Sequence, residues 1–419
     1  MMKKVSLISA FLACVVMAMS QEYDITKFAV SGDSSKIQTA AIQKVIDKAS
    51  ENGGGTIVVP KGVYLTGALF FKPKTKLVLQ EGAVLKGSDD IGDYPLIPSR
   101  MEGQNLLYYA ALINAYYVDS FSIAGPGTVD GNASKFWQAF WLHRDTMNKA
   151  KKPWTNLEVH RPRLIFIWGC NNVTIENAKL CNAGYWTTHL YQCNNVLIEG
   201  CDIRSPFAPV AAPSTDGIDL DVCKKIVIRN CHISVNDDAI AIKGGKGIDA
   251  QKRPENGIVE DVLIENCSFG DSHGTLTMGS ECIHARNITM RNCKVESKTS
   301  VLRIKMRPDT YQIYENITID SITGKCGLLI ALAPWTQFFD LKGSAEKPFG
   351  VVRNITISNI DMQCNRVGDI KGNPSDKVSD ILLKNVTVKA TAPTLKTNNY
   401  PNIKVKNVMV NGSPFVLTK

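Results

Sequence analysis

The chain has 419 residues, 44% of them apolar, with 48 Lys and Arg against 39 Asp and Glu and 12 cysteines. Ordinary apolar content excludes long disorder, and a basic excess scattered without any run of five or six Lys or Arg leaves no footprint for nucleic acid. At roughly 100–200 residues per domain, the length admits two to four domains or one repeat array.

Lys3 and Lys4 precede an apolar run from Val5 to Met19, which ends on the small residues Ala18-Met19-Ser20. The run is too short to span a bilayer and has the layout of a secretory signal peptide, so residues 1–20 are expected to be cleaved. The expected product, residues 21–419, is secreted or periplasmic and has no membrane span. Cleavage also removes Cys14 and leaves an odd number of cysteines, eleven.

Ile37, Ala41, Ile42, Val45, Ile46 and Ala49 recur at helical spacing before Asn52-Gly53-Gly54-Gly55, which predicts a helix over about 37–50. Short strand-like runs follow at Thr56 to Val59, Lys76 to Leu79 and Ala83 to Leu85. From Cys170 onward one nine-residue pattern returns. It starts at Cys170, Cys193, Cys223, Val259 and Ala285, and weaker copies centre on Ile317, Ile355, Ile381 and Ile403. With the fourth residue as anchor, the positions are 173, 196, 226, 262, 288, 317, 355, 381 and 403, at steps of 22 to 38 residues.

A repeat of this length, built of strand and turn without a recurring helix, is a β-solenoid, because one coil cannot bury its own apolar face. The expected fold class is all-β: a single right-handed parallel β-helix over 21–419. The 37–50 helix would cover its open end against edge pairing. Asn recurs at one slot (Asn177, Asn230, Asn266, Asn292, Asn359, Asn385, Asn407), which fits an internal turn ladder in left-handed backbone. The Asn-x-Ser/Thr sequons at Asn172, Asn266, Asn287, Asn316, Asn354 and Asn385 fall in the same repeats and read as solenoid chemistry. Cysteines 170, 193 and 223, and 201, 231, 267 and 293, fill two slots as small core residues rather than a metal site or disulfides.

The densest acidic segments are Ser214 to Asp221 and Asn236-Asp237-Asp238. Asp216 and Asp237 are 21 residues apart, about one coil, and Asp237 and His273 occupy the same slot of adjacent coils. With Ile240, Ile242, Leu276, Met278, Leu302 and Ile304 inward, Asp237, His273, Arg303 and Lys305 face outward. The same parity sends Asp216 and Asp238 inward unless a bend turns them out. Paired carboxylates on a polymer-sized surface suit glycoside hydrolysis, in which one protonates the leaving oxygen and another activates water. A solvated acidic turn and a calcium site are the competing readings at this level.

The ordered segments Ser214-Thr215-Asp216, Asn236-Asp237-Asp238, Ser272-His273-Gly274 and Arg303-Ile304-Lys305 resemble the four signatures of glycoside hydrolase family 28, the polygalacturonase family. The likeness extends over nearly the whole mature chain, including the Gly-Gly-Gly-Thr-Ile-Val-Val-Pro stretch and Arg161-Pro162-Arg163. The resemblance implies Asp237 as general acid, Asp216 and Asp238 as holders of the water, and His273 as the group that tunes the acid. It also implies that Arg303 and Lys305 bind a uronate carboxylate, that the anomeric centre inverts, and that no metal or cofactor is needed. Ser214 and Ser272 depart from the family's Asn and Gly, so contacts flanking Asp216 and His273 can differ.

Gly279-Ser280-Glu281 resembles exo-acting members, and long insertions after Gly103 (to about Glu158) and after Lys243 (Gly244 to Gly257) can wall off one end of a groove. The expected activity is therefore removal of terminal galacturonate from an acidic polysaccharide or oligosaccharide (pectin, galacturonan) by a monomer. A rhamnogalacturonan hydrolase is the alternative within the class; a calcium-dependent lyase and a non-catalytic glycan-binding solenoid are the alternatives outside it. His189 and Trp335 are further candidates for sugar contacts. His232 reads as structural, and His143, His160 and His284 have no partner visible in sequence.

Overall fold

The computed structural model describes residues 21–398 and 400–417; the signal segment 1–20, with Cys14, lies outside the described residues. Thirty strands join one sheet, and every pairing in it is parallel except the terminal Ile403–Val410 with Ser413–Pro414. A sheet in which successive short strands pair with the equivalent strand one turn later is a parallel β-helix. The repeat anchors make this visible. Val173 is in register with Val196, and the column continues through Ile226, Val262, Ile288, Ile317, Ile355, Ile381 and Ile403. All but Ile403 are buried, and each fully buried side chain of this size contributes about 1.5–3 kcal/mol. The uneven steps leave register intact because the extra residues leave at the corners.

The recurrent asparagines do adopt left-handed backbone, with φ between 53° and 59° at Asn177, Asn230, Asn266, Asn292, Asn359, Asn385 and Asn407. Their position corrects the expectation of an internal ladder: they sit on an exposed corner, where Asn385 Nδ2 donates to Asn359 Oδ1 at 3.1 Å and Asn407 to Asn385 at 3.0 Å. The sequon asparagines Asn287, Asn316 and Asn354 form a second such corner, Asn316 donating to Asn287 and Asn354 to Asn316, whereas Asn266 and Asn385 belong to the first. Among the described residues all eleven cysteines are unpaired, and all but Cys181 are buried.

Helix α1 (Thr39–Glu51) caps the first coils, burying Ile42, Val45, Ile46 and Ala49, while Ile37 lies outside it and is 45% exposed. Two features in and just before the first insertion have no counterpart in the sequence reading. Leu96–Met101 and Gln104–Tyr109 form an antiparallel hairpin. Ser134–Lys149 forms a second helix, α2. Indole nitrogens of Trp137 and Trp141 pin α2 to the solenoid by donating to the carbonyls of Ala183 and Ala211, at 2.9 and 2.7 Å.

Candidate active site

One face of the solenoid is built by Thr188–Tyr191, Ile218–Asp221, Asp238–Lys243, Gly274–Met278 and Ser300–Met306. Ile218, Ile240, Leu276 and Leu302 stack inward, so the alternating column His189, Asp219, Ala241, Thr277 and Arg303 points out. Tyr191, Asp221 and Lys243 form a second outward column. Over this face opens a cleft of about 800 Å³ lined by Asp216, Asp237, Asp238, His273, Arg303 and Lys305, with Trp186, Lys243, Glu281 and Trp335 around them.

The parity conflict at Asp216 and Asp238 is resolved by bends where the chain enters the strands, and both carboxylates face the cleft although they are only 3% and 1% exposed. One oxygen from each of Asp216, Asp237 and Asp238 lies within 4.8 Å of the others. Two ammonium groups balance this charge. Lys305 pairs with Asp238 at 2.5 Å, with Arg303 3.6 Å from the same carboxylate, and Lys243 lies 3.3 Å from Asp216. Asp237 stands at the mouth, its side chain 26% exposed, with His273 Nδ1 3.3 Å from its carboxylate.

The electrostatics separate Asp216 from Asp237. Burial, reinforced by the Asp237 charge, pushes Asp216 up to about 7 against the pull of Lys243. Burial also acts upward on Asp237, but the hydrogen bond from His273 and the charges of His273 and Lys305 outweigh it and hold that carboxyl at about 2. His273 is raised in turn, chiefly by its bond to Asp237. The negative charges of Asp237 and Asp238 thus add to burial in favouring the protonated form of Asp216.

Trp335 lines the cleft, with the Lys305 ammonium 4.6 Å above its ring. Ser214 lines it too, whereas Ser272 is buried beside it. His189 is a correction: it is fully buried and touches no cleft surface. Parity turns it outward, but the hairpin roofs it, and it lies between Arg163 at 2.6 Å and Asp221 at 3.5 Å. Burial holds it neutral, its pKa down at about 3. His143 and His284 pair with Glu158 and Glu315, His232 with Ser268, and His160 packs on Tyr109; none of the four lines the cleft.

Sequence reasoning missed Lys243, although the parity that sends Ile242 inward sends Lys243 out beside Asp221. It also missed Glu102 at the hairpin tip and Phe140, Trp141 and Arg144 of α2, which have no periodic signal and reach the cleft only through tertiary packing. These last residues, with Trp154 and Asn156, wall the cleft from Tyr185 and Trp186 on toward the loop after Trp335. Arg161 ties the wall together, its guanidinium sandwiched 4.3 Å from the Phe140 ring and 4.4 Å from Tyr185. Lys246 of the second insertion bonds Glu102 at 3.1 Å, and Trp154 meets Phe338 of the loop after Trp335 edge to face at 5.9 Å.

A carboxylate cluster in a cleft along a parallel β-helix is the architecture of a polysaccharide-processing enzyme. The chain belongs to the glycosyl hydrolases family 28, whose model matches residues 50–410, and it acts on O-glycosyl bonds. It is 33% identical over 223 residues to a protein of Vitis vinifera described as "Probable polygalacturonase", a match covering 51% of this chain and 42% of that one. An endo-polygalacturonase of Pectobacterium parmentieri is 25% identical over 380 residues, 89% of this chain and 88% of that protein. The solved structure of an exopolygalacturonase from Thermotoga maritima superposes with a TM-score of 0.80 at 25% identity, over 94% of this chain and 93% of that one.

Proposed function

We propose that the protein is an exported, monomeric, pectin-degrading exo-galacturonidase that hydrolyses α-galacturonosyl linkages with inversion. The observation that carries the exo reading is an asymmetry. Upstream of Asp216 the cleft ends at Trp186, one strand away, whereas downstream of Asp238 it continues over the strands of Gly274, Ser300 and Leu328. At ~4.8 Å per strand this is a depth comparable with one sugar ring on one side and ~14 Å on the other. A chain end fits; a chain passing through does not. The likeness to the Thermotoga exopolygalacturonase supports the same reading, and the charged, apolar and small-residue order of segment 1–20 supports export.

Asp237, the accessible carboxyl, protonates the leaving oxygen. Without substrate the proton is held by Asp216 and the fully buried Asp219 beside it, both raised by burial; a uronate chain laid over Asp237 shields it from water and brings further negative charge, which draws the proton outward. Asp216 and Asp238 hold and deprotonate the attacking water. The spacing from the acid, Asp237, to these two carboxyls, within 4.8 Å at the nearest oxygens, is shorter than the ~6.5–9.5 Å usual for inverting enzymes. Both are nevertheless buried and tied to lysines, an arrangement that suits orienting a water better than supplying a free nucleophile. Arg303, which bonds the His273 carbonyl at 2.7 Å, keeps donors for a uronate carboxylate, and Lys305 adds charge beside it.

The test is proton NMR of trigalacturonate digestion with excess chelator. The expected outcome is undiminished hydrolysis with the β-anomer of the new end appearing first. An α-anomer first would contradict inversion. An unsaturated product absorbing in the ultraviolet, or dependence on calcium, would replace the hydrolase by a lyase.

A further inference from the structure

Lys243 ends its strand at the inner edge of the cleft and is 4% exposed. Its ammonium lies 3.3 Å from Asp216, 3.6 Å from the fully buried Asp219 and 3.3 Å from Glu281, and 4.7 Å above the Trp186 ring. The other charged groups around it are accounted for. Asp221, its register neighbour, is bonded to Arg100, and Asp238 on its own strand to Lys305. Glu281 has Arg307 at 4.0 Å, and Glu102 is held by Lys246.

We propose that Lys243 is a positioning residue for hydrolysis, which orients Asp216 and, opposed by Glu281, sets how many protons the carboxylate cluster keeps at working pH. The inference rests on the cluster being the catalytic one. A single ammonium shared by the buried Asp216 and Asp219 and the partly buried Glu281 is a strong local force favouring their ionised forms, because little solvent reaches the ammonium to screen it. Burial acts the other way on Asp216, so the balance between the two decides the proton count. Glu281 acts with burial. It draws the ammonium away from Asp216 and adds an anion beside the cluster. The two side chains therefore push the titration of the cluster in opposite directions, and a merely structural role predicts no such opposition.

The active form holds one proton among the three carboxyls, so the pH profile of kcat/KM is a bell between the second and third deprotonations of the cluster. Lys243→Met keeps the side-chain length and removes the charge. Every deprotonation becomes harder, and the whole bell is expected to move to higher pH by about one unit or more. Glu281→Gln removes an anion, and the bell is expected to move to lower pH. Lys243→Arg, which keeps the charge, should hold the bell near its original position at reduced kcat. Carboxyl 13C titration of Asp216 without substrate should show the same two opposite displacements. Folded Lys243→Met with an unmoved bell, or displacements of the same sign in both variants, would overturn the proposal. Lack of hydrolysis by the parent on every galacturonan would instead remove the proposed function, and the substrate-free titration would still decide the role of Lys243.

Discussion

Asp237→Asn is expected to lower kcat about 10²–10⁴-fold, the contribution of a positioned general acid, with little change in thermal stability. The residue stands at the cleft mouth with its side chain about a quarter exposed, and an Asn there still accepts the Asp238 backbone N–H that now lies 3.0 Å from Asp237 Oδ1. The fold therefore has no reason to change, and the loss reports chemistry. Steady-state rates on trigalacturonate, paired with melting temperatures, check this. Undiminished sugar release by the variant would remove Asp237 from the mechanism, and absence of sugar release by the parent as well would favour a glycan-binding solenoid.

The second large effect is on stability. Asp221→Ala is expected to cost about 3–5 kcal/mol, because it strands a buried guanidinium. Arg100 reaches down from the hairpin and makes a two-pronged bond to Asp221, at 2.9 and 3.2 Å, and both side chains are fully buried. His189 and Arg163 complete this layer, and Arg163 also bonds the Arg100 carbonyl. Burial acts to raise the Asp221 pKa, but Arg100 outweighs it and holds the carboxyl below its usual range. The contribution is thus present above the unfolded carboxyl pKa and is lost as pH falls through the folded one. Because Glu102 rides on the same hairpin, the variant should also become sensitive to proteolysis within 96–109 and lose the cleft wall. Replacing both partners by apolar residues, Arg100→Met with Asp221→Leu, should recover much of the loss. A double variant as unstable as the single one would mean that the layer is held by something other than this pair.

The contrast between these two residues shows what the sequence made legible. Asp237 announces itself: it lies one coil from Asp216, shares a slot with His273, and stands on the outward parity of a strand whose inward residues are plainly apolar. The nine anchors are legible for the same reason, since a solenoid writes its register into the sequence as a repeat. Asp221 has the same outward parity, and so does His189, yet both are sealed from solvent. What seals them is the hairpin of Leu96–Tyr109, which lies outside the repeat. Helix α2 is hidden likewise; its apolar contacts are a few aromatic residues against an existing wall, without the long apolar stripe that marks a core helix. Lys243 was within reach of the parity argument. Only its three carboxylate partners, brought from one strand, the segment leading into it and a bend on a later coil, reveal what it does.

The account as a whole stands on the closed end beside Asp216. Early-time product analysis on polygalacturonate, taken before a few per cent of the linkages are cut, measures it most directly. Monomeric galacturonate as the sole initial product, with the viscosity of the polymer nearly unchanged, is the predicted result. A ladder of mixed oligogalacturonates with a rapid fall in viscosity would contradict it.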